Sequence, residues 1–185
     1  MNGRIEAIGL VELNSIAQGI TTCDEMIKVA PVTLMLAMTI CPGKYISLVG
    51  GDVASVESSV RRGLETGGAF VVDSLFIPNI HSQVFPAIMG TGASRQIRSL
   101  GVIETFSVAA AVIAGDGAAK AAKVELIELR LAQGLAGKSF VTLTGDVSDV
   151  EAGVRAGVAL IQESGMLVKD VVIPRPHADL KQKMG

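Results

Sequence analysis

Tryptophan is absent from this chain, and aromatic residues make up 3% of its 185 positions. Any core must be built from Val, Ile, Leu, Ala and Met, and an apolar content of 49% is ample for that. Basic runs are missing too, and the formal net charge is -2. That excludes nucleic acid as a main partner, because phosphate contact needs clustered Lys and Arg. No uninterrupted apolar stretch is long enough to span a bilayer, so no membrane partner is expected. Met1-Asn2-Gly3-Arg4 leads into an alternating, strand-like segment and not into the apolar region of a secretion signal. Only two cysteines occur, Cys23 and Cys41, with no spacing motif between them. They give no disulfide framework, and a cytoplasmic, reducing setting leaves both thiols free unless a metal holds them.

What the chain does have is a repeat. Gly9-Leu10-Val11-Glu12 returns as Gly101-Val102-Ile103-Glu104, a shift of 92. Gly51-Asp52-Val53 returns as Gly145-Asp146-Val147, a shift of 94, and Ile77-Pro78 with His81 returns as Ile173-Pro174 with His177, a shift of 96. The growing shift places extra residues of the second copy near Cys41 and near Gly67-Gly68. Two domains of about 90 residues follow, too long to be stacked solenoid units. We assign residues 1–90 to the first domain, 91–98 to a linker and 99–185 to the second domain. The linker is polar and glycine-containing.

Each half reads strand, helix, strand, strand, helix, strand. In the first, residues 4–13 are strand-like and Asn14-Ser15 can cap a helix whose stripe is Ile16, Ile20, Cys23 and Ile27. Pro31 ends that helix. Strands at 32–40 and 45–49 flank the turn Cys41-Pro42-Gly43, and Asp52 caps a helix with the stripe Val53, Val56, Val60 and Leu64. A fourth strand covers 70–76. The second half repeats this with strands at 100–106, 124–132, 138–144 and 166–173 and helices at 107–122 and 147–164, the latter with its stripe at Val147, Val150, Val154, Val158 and Ile161. The fold class is α+β: two tandem domains, each a small, mostly antiparallel sheet with helices packed on it, a variant of the ferredoxin-like arrangement.

Four segments carry a family likeness: Ala7-Ile8-Gly9-Leu10-Val11-Glu12, Gly50-Gly51-Asp52-Val53, Val72-Asp73-Ser74 and Ile173-Pro174-Arg175-Pro176-His177. Through them the chain resembles the bacterial microcompartment shell proteins of the tandem-domain type that forms trimers, over nearly its whole length. Thr39-Ile40-Cys41-Pro42-Gly43-Lys44 is similar to the same loop in the iron–sulfur members from propanediol-utilisation microcompartments. The resemblance implies a non-enzymatic shell tile in the cytoplasm. Three chains would form a pseudo-hexameric disc that tiles edge to edge with other shell proteins. It also implies one 4Fe–4S cluster per homotrimer, bound by Cys41 of each chain. An encapsulated redox enzyme would be the electron partner. The other reading is a plain pore-forming tile for small metabolites, in which Cys41 is a pore-lining thiol.

The residues themselves agree with a shared ligand. Iron–sulfur clusters take Cys thiolates, usually four from one chain, and this chain has one loop Cys. A three-fold axis would bring three copies together, leaving one iron for water or a small ligand. Thr39, Ile40, Cys41, Pro42 and Gly43 are expected to line the opening. The matching loop of the second half, Ala132-Gln133-Gly134-Leu135-Ala136-Gly137, has no Cys. Its Gln133, Gly134 and Leu135 either line the same opening or stand back from it as spacers. Cys23 reads as a small buried hydrophobe. Glu12 and Glu104 read as structural carboxylates, His81 and His177 as local structure at helix starts, and Lys28 and Lys44 as solvated charges or rim contacts. Gly50-Gly51-Asp52 lacks the Gly-Lys-Ser/Thr ending of a phosphate loop.

Overall fold

The computed structural model describes residues 5–91 and 96–184. The chain divides into two compact units. The first contains β1 (Ala7–Leu13), α1 (Ile16–Val29), β2 (Thr33–Ile40), β3 (Lys44–Gly51), α2 (Val53–Gly67) and β4 (Val71–Pro78). The second contains α3 (Val84–Ile88), β5 (Ser99–Thr105), α4 (Val108–Ala121), β6 (Glu125–Arg130), β7 (Ser139–Gly145), α5 (Val147–Ile161), β8 (Leu167–Ile173) and α6 (Ala178–Met184). Each unit holds one four-stranded sheet, ordered β2-β3-β1-β4 in the first and β6-β7-β5-β8 in the second. Every pairing is antiparallel. Strand order and element order together give the ferredoxin-like arrangement expected from the sequence.

The elements end where their residues require. Ser15 accepts a hydrogen bond from the Gln18 amide and so starts α1, and Ser107 does the same for α4 through the Ala110 amide. α1 stops before Pro31, with Ala30 already extended. The central strand β1 is buried along its whole length. Ala7, Val11 and Leu13 form a core with Met26, Val49, Val56 and Val60. Helix α2 reaches this strand closely because Gly9 has no side chain: a Cβ there would lie 2.2 Å from Val60 Cγ2 and 2.9 Å from Val56 Cγ1. The second repeat does the same at Gly101, where a Cβ would lie 2.8 Å from Val154 Cγ2 and 2.9 Å from Val150 Cγ1.

Two features differ from the sequence reading. The stripe Ile16, Ile20, Ile27 does not face the sheet of the first unit; these side chains are exposed, and α1 buries Gly19, Thr22, Cys23 and Met26 instead. The cause is Gly19, where a Cβ would lie 2.4 Å from Tyr45 Cβ. The helix turns Gly19 toward the Tyr45 ring and its isoleucines away. The second difference concerns boundaries. Residues 81–90 pack with the second unit, and Ala132–Gly137 cluster with the first. Gln83 explains the former: its Nε2 donates to the Val124 carbonyl at 3.1 Å, and its Oε1 accepts from the Leu126 amide at 2.8 Å, along the edge strand β6. Of the linker at 91–98, residues 92–95 lie outside the described residues.

Asp52 caps α2 by accepting from the Ser55 amide at 2.9 Å. Hydrogen bonding to Ser55 holds its carboxyl below the usual aspartate range. Its counterpart Asp146 makes no such cap and pairs with Arg98 at 2.6 Å. A carboxyl with a lowered folded pKa stabilises above its unfolded pKa and loses that contribution as pH falls through the folded value. The stability difference between the wild type and Asp52→Ala should therefore be constant from neutral pH down to about pH 4. It should shrink below that, as urea unfolding at stepped pH would show; a difference that grows on acidification would contradict the cap's charge.

Candidate functional site

The hairpin between β2 and β3 closes in three residues. Ile40 pairs with Lys44, and Cys41, Pro42 and Gly43 form the turn, with Gly43 at φ 77 and the Cys41–Pro42 peptide cis. A positive φ suits glycine there. The apex therefore presents a ring, a bare backbone and a thiol. Cys41 is half-buried and not in a disulfide. Thr39, Pro42 and Gly43 are exposed, whereas Ile40 is 4% exposed and belongs to the core. Of the five residues expected to line an opening from this loop, Ile40 thus points the wrong way, because strand alternation turns it under the sheet while Thr39 and Cys41 stay outside.

The hairpin is braced at its tip. The Cys41 amide donates to the Ala132 carbonyl at 3.1 Å. Gly137 lies against the turn so closely that a Cβ would sit 2.8 Å from Pro42 Cδ and 3.2 Å from the Cys41 carbonyl oxygen. Ala132 and Gly137 are buried, with φ of 51 and 88. These two residues act as supports of the Cys41 turn. Gln133 and Gly134 are exposed and Leu135 is half-buried, so these three remain on the surface of the same loop. The sequence held no signal for the bracing, since Ala132 contributes only its carbonyl and Gly137 only its lack of a side chain.

At the foot of the hairpin, Lys44 Nζ lies 2.8 Å from Glu12 Oε1. Glu12 is wholly buried and the Lys44 side chain is 15% exposed. Lys44 is therefore neither a solvated charge nor a rim contact: it neutralises a buried carboxylate and anchors one arm of the Cys41 hairpin. The second repeat keeps the pair as Lys138–Glu104 at 3.0 Å, at 44% and 33% exposure. Both glutamates are structural, as their duplication suggests.

The remaining candidates have structural places. Cys23 is buried, and burial together with the neighbouring Cys23 thiol pushes the Tyr45 hydroxyl up. His81 and His177 sit in equivalent turns before α3 and α6, where each Nδ1 accepts the amide two residues on, from Gln83 and from Asp179. Lys28 pairs with Asp24 one turn earlier on α1. Among the described residues no three His, Cys, Asp or Glu gather in one place, and no helix is long and apolar enough to cross a membrane. Within one chain, Cys41 is thus a single thiolate donor. It is accessible, and the adjoining Gly43 has open space on its side-chain face. That donor set fits a 4Fe–4S cluster when further thiolates come from other copies.

Comparison with known proteins bears on what this hairpin belongs to. The family described as BMC domain matches residues 7–80 and 99–176. The bacterial microcompartment shell protein PduT of Citrobacter freundii is 43% identical over 179 residues, 97% of this chain and 97% of that protein. The shell protein EutM of Salmonella typhimurium is 40% identical over 86 residues, 46% of this chain and 88% of its own length. A crystal structure of a microcompartment protein from Desulfitobacterium hafniense DCB has a TM-score of 0.86 and 52% identity, covering 97% of this chain and 99% of that one. A fused permuted hexameric shell protein of the RMM microcompartment shares the fold alone, with a TM-score of 0.65 at 19% identity over 86% of this chain and 87% of its own.

Removing Lys44 takes the counter-charge from a wholly buried carboxylate. Lys44→Met should lower the unfolding free energy by about 3 kcal/mol, while Lys138→Met, at the more accessible copy of the pair, should cost less than about 1 kcal/mol. Chemical denaturation of the two variants side by side checks this, and equal losses would show that burial does not distinguish the pairs.

Proposed function

The chain belongs to the BMC-domain family of bacterial microcompartment shell proteins, and on that premise we propose that three copies share one 4Fe–4S cluster through Cys41. The protein is a structural shell component and not an enzyme. Two BMC domains per chain make a homotrimer the six-domain equivalent of a disc, which meets other shell proteins at its edges.

The observation that carries the cluster reading is the single accessible thiol on the braced hairpin. One thiolate cannot hold a cluster, and the second repeat offers no Cys in the matching loop, so six ligands are excluded and three remain. Lys44–Glu12, Ala132 and Gly137 would hold each Cys41 turn in place. The Cys41 amide is committed to Ala132 and Pro42 has no amide, so neither donates to the sulfur. When bound, the cluster would supply one-electron transfer at the shell, linking an encapsulated redox enzyme to the outside.

A second reading keeps the shell role and gives Cys41 only a place in an opening for small metabolites. It is favoured by the bare, exposed apex of Pro42 and Gly43, which leaves room at the tip. Anaerobic purification separates the two. Under the cluster reading the protein is brown and carries four irons and four acid-labile sulfides per three chains, and Cys41→Ser abolishes the visible absorbance while the trimer persists. A colourless protein that takes up no iron on reconstitution would end the cluster reading and leave the pore reading in place.

A further inference from the structure

Equivalent residues of the two repeats differ systematically in exposure. On α1, Ile16, Ile20 and Ile27 are 41%, 55% and 38% exposed; their counterparts on α4, Val108, Val112 and Ala119, are at 0%, 0% and 7%. On the edge strands, Leu34 is 40% exposed and Leu126 is 2%. The side chain of Asp24 is 51% exposed and that of Asp116 is 8%, although each pairs with a lysine one turn on. Conversely, Val84 of α3 is wholly buried, while Leu180 at the same place in α6 is 40% exposed. The second repeat is covered where the first is bare, and the segment after the first repeat is docked where the segment after the second is free.

The docked segment is known in detail. The His81 amide donates to Asp116 Oδ1 at 2.8 Å, Gln83 bridges Val124 and Leu126 on the edge of β6, and α3 lies on β6 and α4. The segment after the second repeat has the same local turn, with His177 Nδ1 accepting from the Asp179 amide, yet α6 buries no residue.

We infer that residues 177–184 form an arm that docks on α1 and the edge of β2 of a second copy of this chain, as residues 81–88 dock on α4 and β6 within one chain. The inference rests on the self-assembly proposed above and names its contact. The His177 amide meets Asp24 of the neighbouring copy, and Leu180 covers the apolar face beside Leu34. Asp179 replaces Gln83, so it can accept the Leu34 amide but cannot donate to the Val32 carbonyl. The contact is head-to-tail, since arm and receiving face are different surfaces, and in the trimer proposed above it is made three times around the ring.

Full-length Leu180→Asp and Asp24→Ala test it, with sedimentation velocity across a concentration series and hydrogen exchange of β2 as readouts. Leu180 and Asp24 are exposed within one chain, so both variants should fold as the wild type does. Each should weaken the trimer at least tenfold and speed exchange of the Leu34 amide, while Val84→Asp should destabilise the single chain instead. A trimer of unchanged affinity with unchanged Leu34 exchange in both variants would overturn the arm and leave self-assembly intact. A wild type that sediments as a monomer at micromolar concentration would overturn the assembly reading, and the arm with it.

Discussion

Each repeat is organised by the contact of its second long helix with its central strand. At Gly9 the side chains of Val56 and Val60 rest on the backbone of β1, and at Gly101 those of Val150 and Val154 rest on β5. Any larger residue would lift the helix off the sheet, because protein interiors have no spare volume to absorb a methyl group. With that helix seated, β1 takes the centre of the sheet with β3 on one side and β4 on the other. β2 is then left as an edge, and the β2–β3 hairpin projects its turn outside the core. Cys41 is displayed because of where the glycines are.

The duplicated sequence is used in two environments. Glu12–Lys44 is a buried pair and Glu104–Lys138 a half-buried one; Asp24–Lys28 is exposed and Asp116–Lys120 half-buried. The chemistry of each pair is retained while its energetic weight changes, since burial and not composition sets the cost of an unpaired charge. The loops that follow β2 and β6 have diverged further. The first became a three-residue turn with a thiol; the second grew into a support that offers a carbonyl at Ala132 and a bare backbone at Gly137. The thiol and its brace thus occupy equivalent loop positions in the two repeats.

Much of this was legible beforehand. The repeat gave the number of domains, and the caps at Ser15 and Asp52 placed helix starts, because a side-chain acceptor before an apolar stripe is a local signal. Cys41 stood out as the one loop thiol with no counterpart in the other repeat. Three things escaped. The α1 stripe was read as core, yet three of its four members face away, because periodicity identifies an apolar face without saying what covers it. Ile40 was grouped with the turn although alternation buries it. The segment at 81–90 was given to the preceding domain, because a side chain such as Gln83 shows no preference in sequence for the strand edge it bonds.

The sequence by itself determined the duplication, the order of elements in each half, and the family. Those are matters of local pattern, readable from residues near one another along the chain. Only the tertiary structure decided which face of α1 is free, that Lys44 neutralises Glu12, and that Ala132 and Gly137 hold the Cys41 turn. These depend on the approach of segments tens of residues apart, where distance and burial, and not residue type, fix what an atom meets.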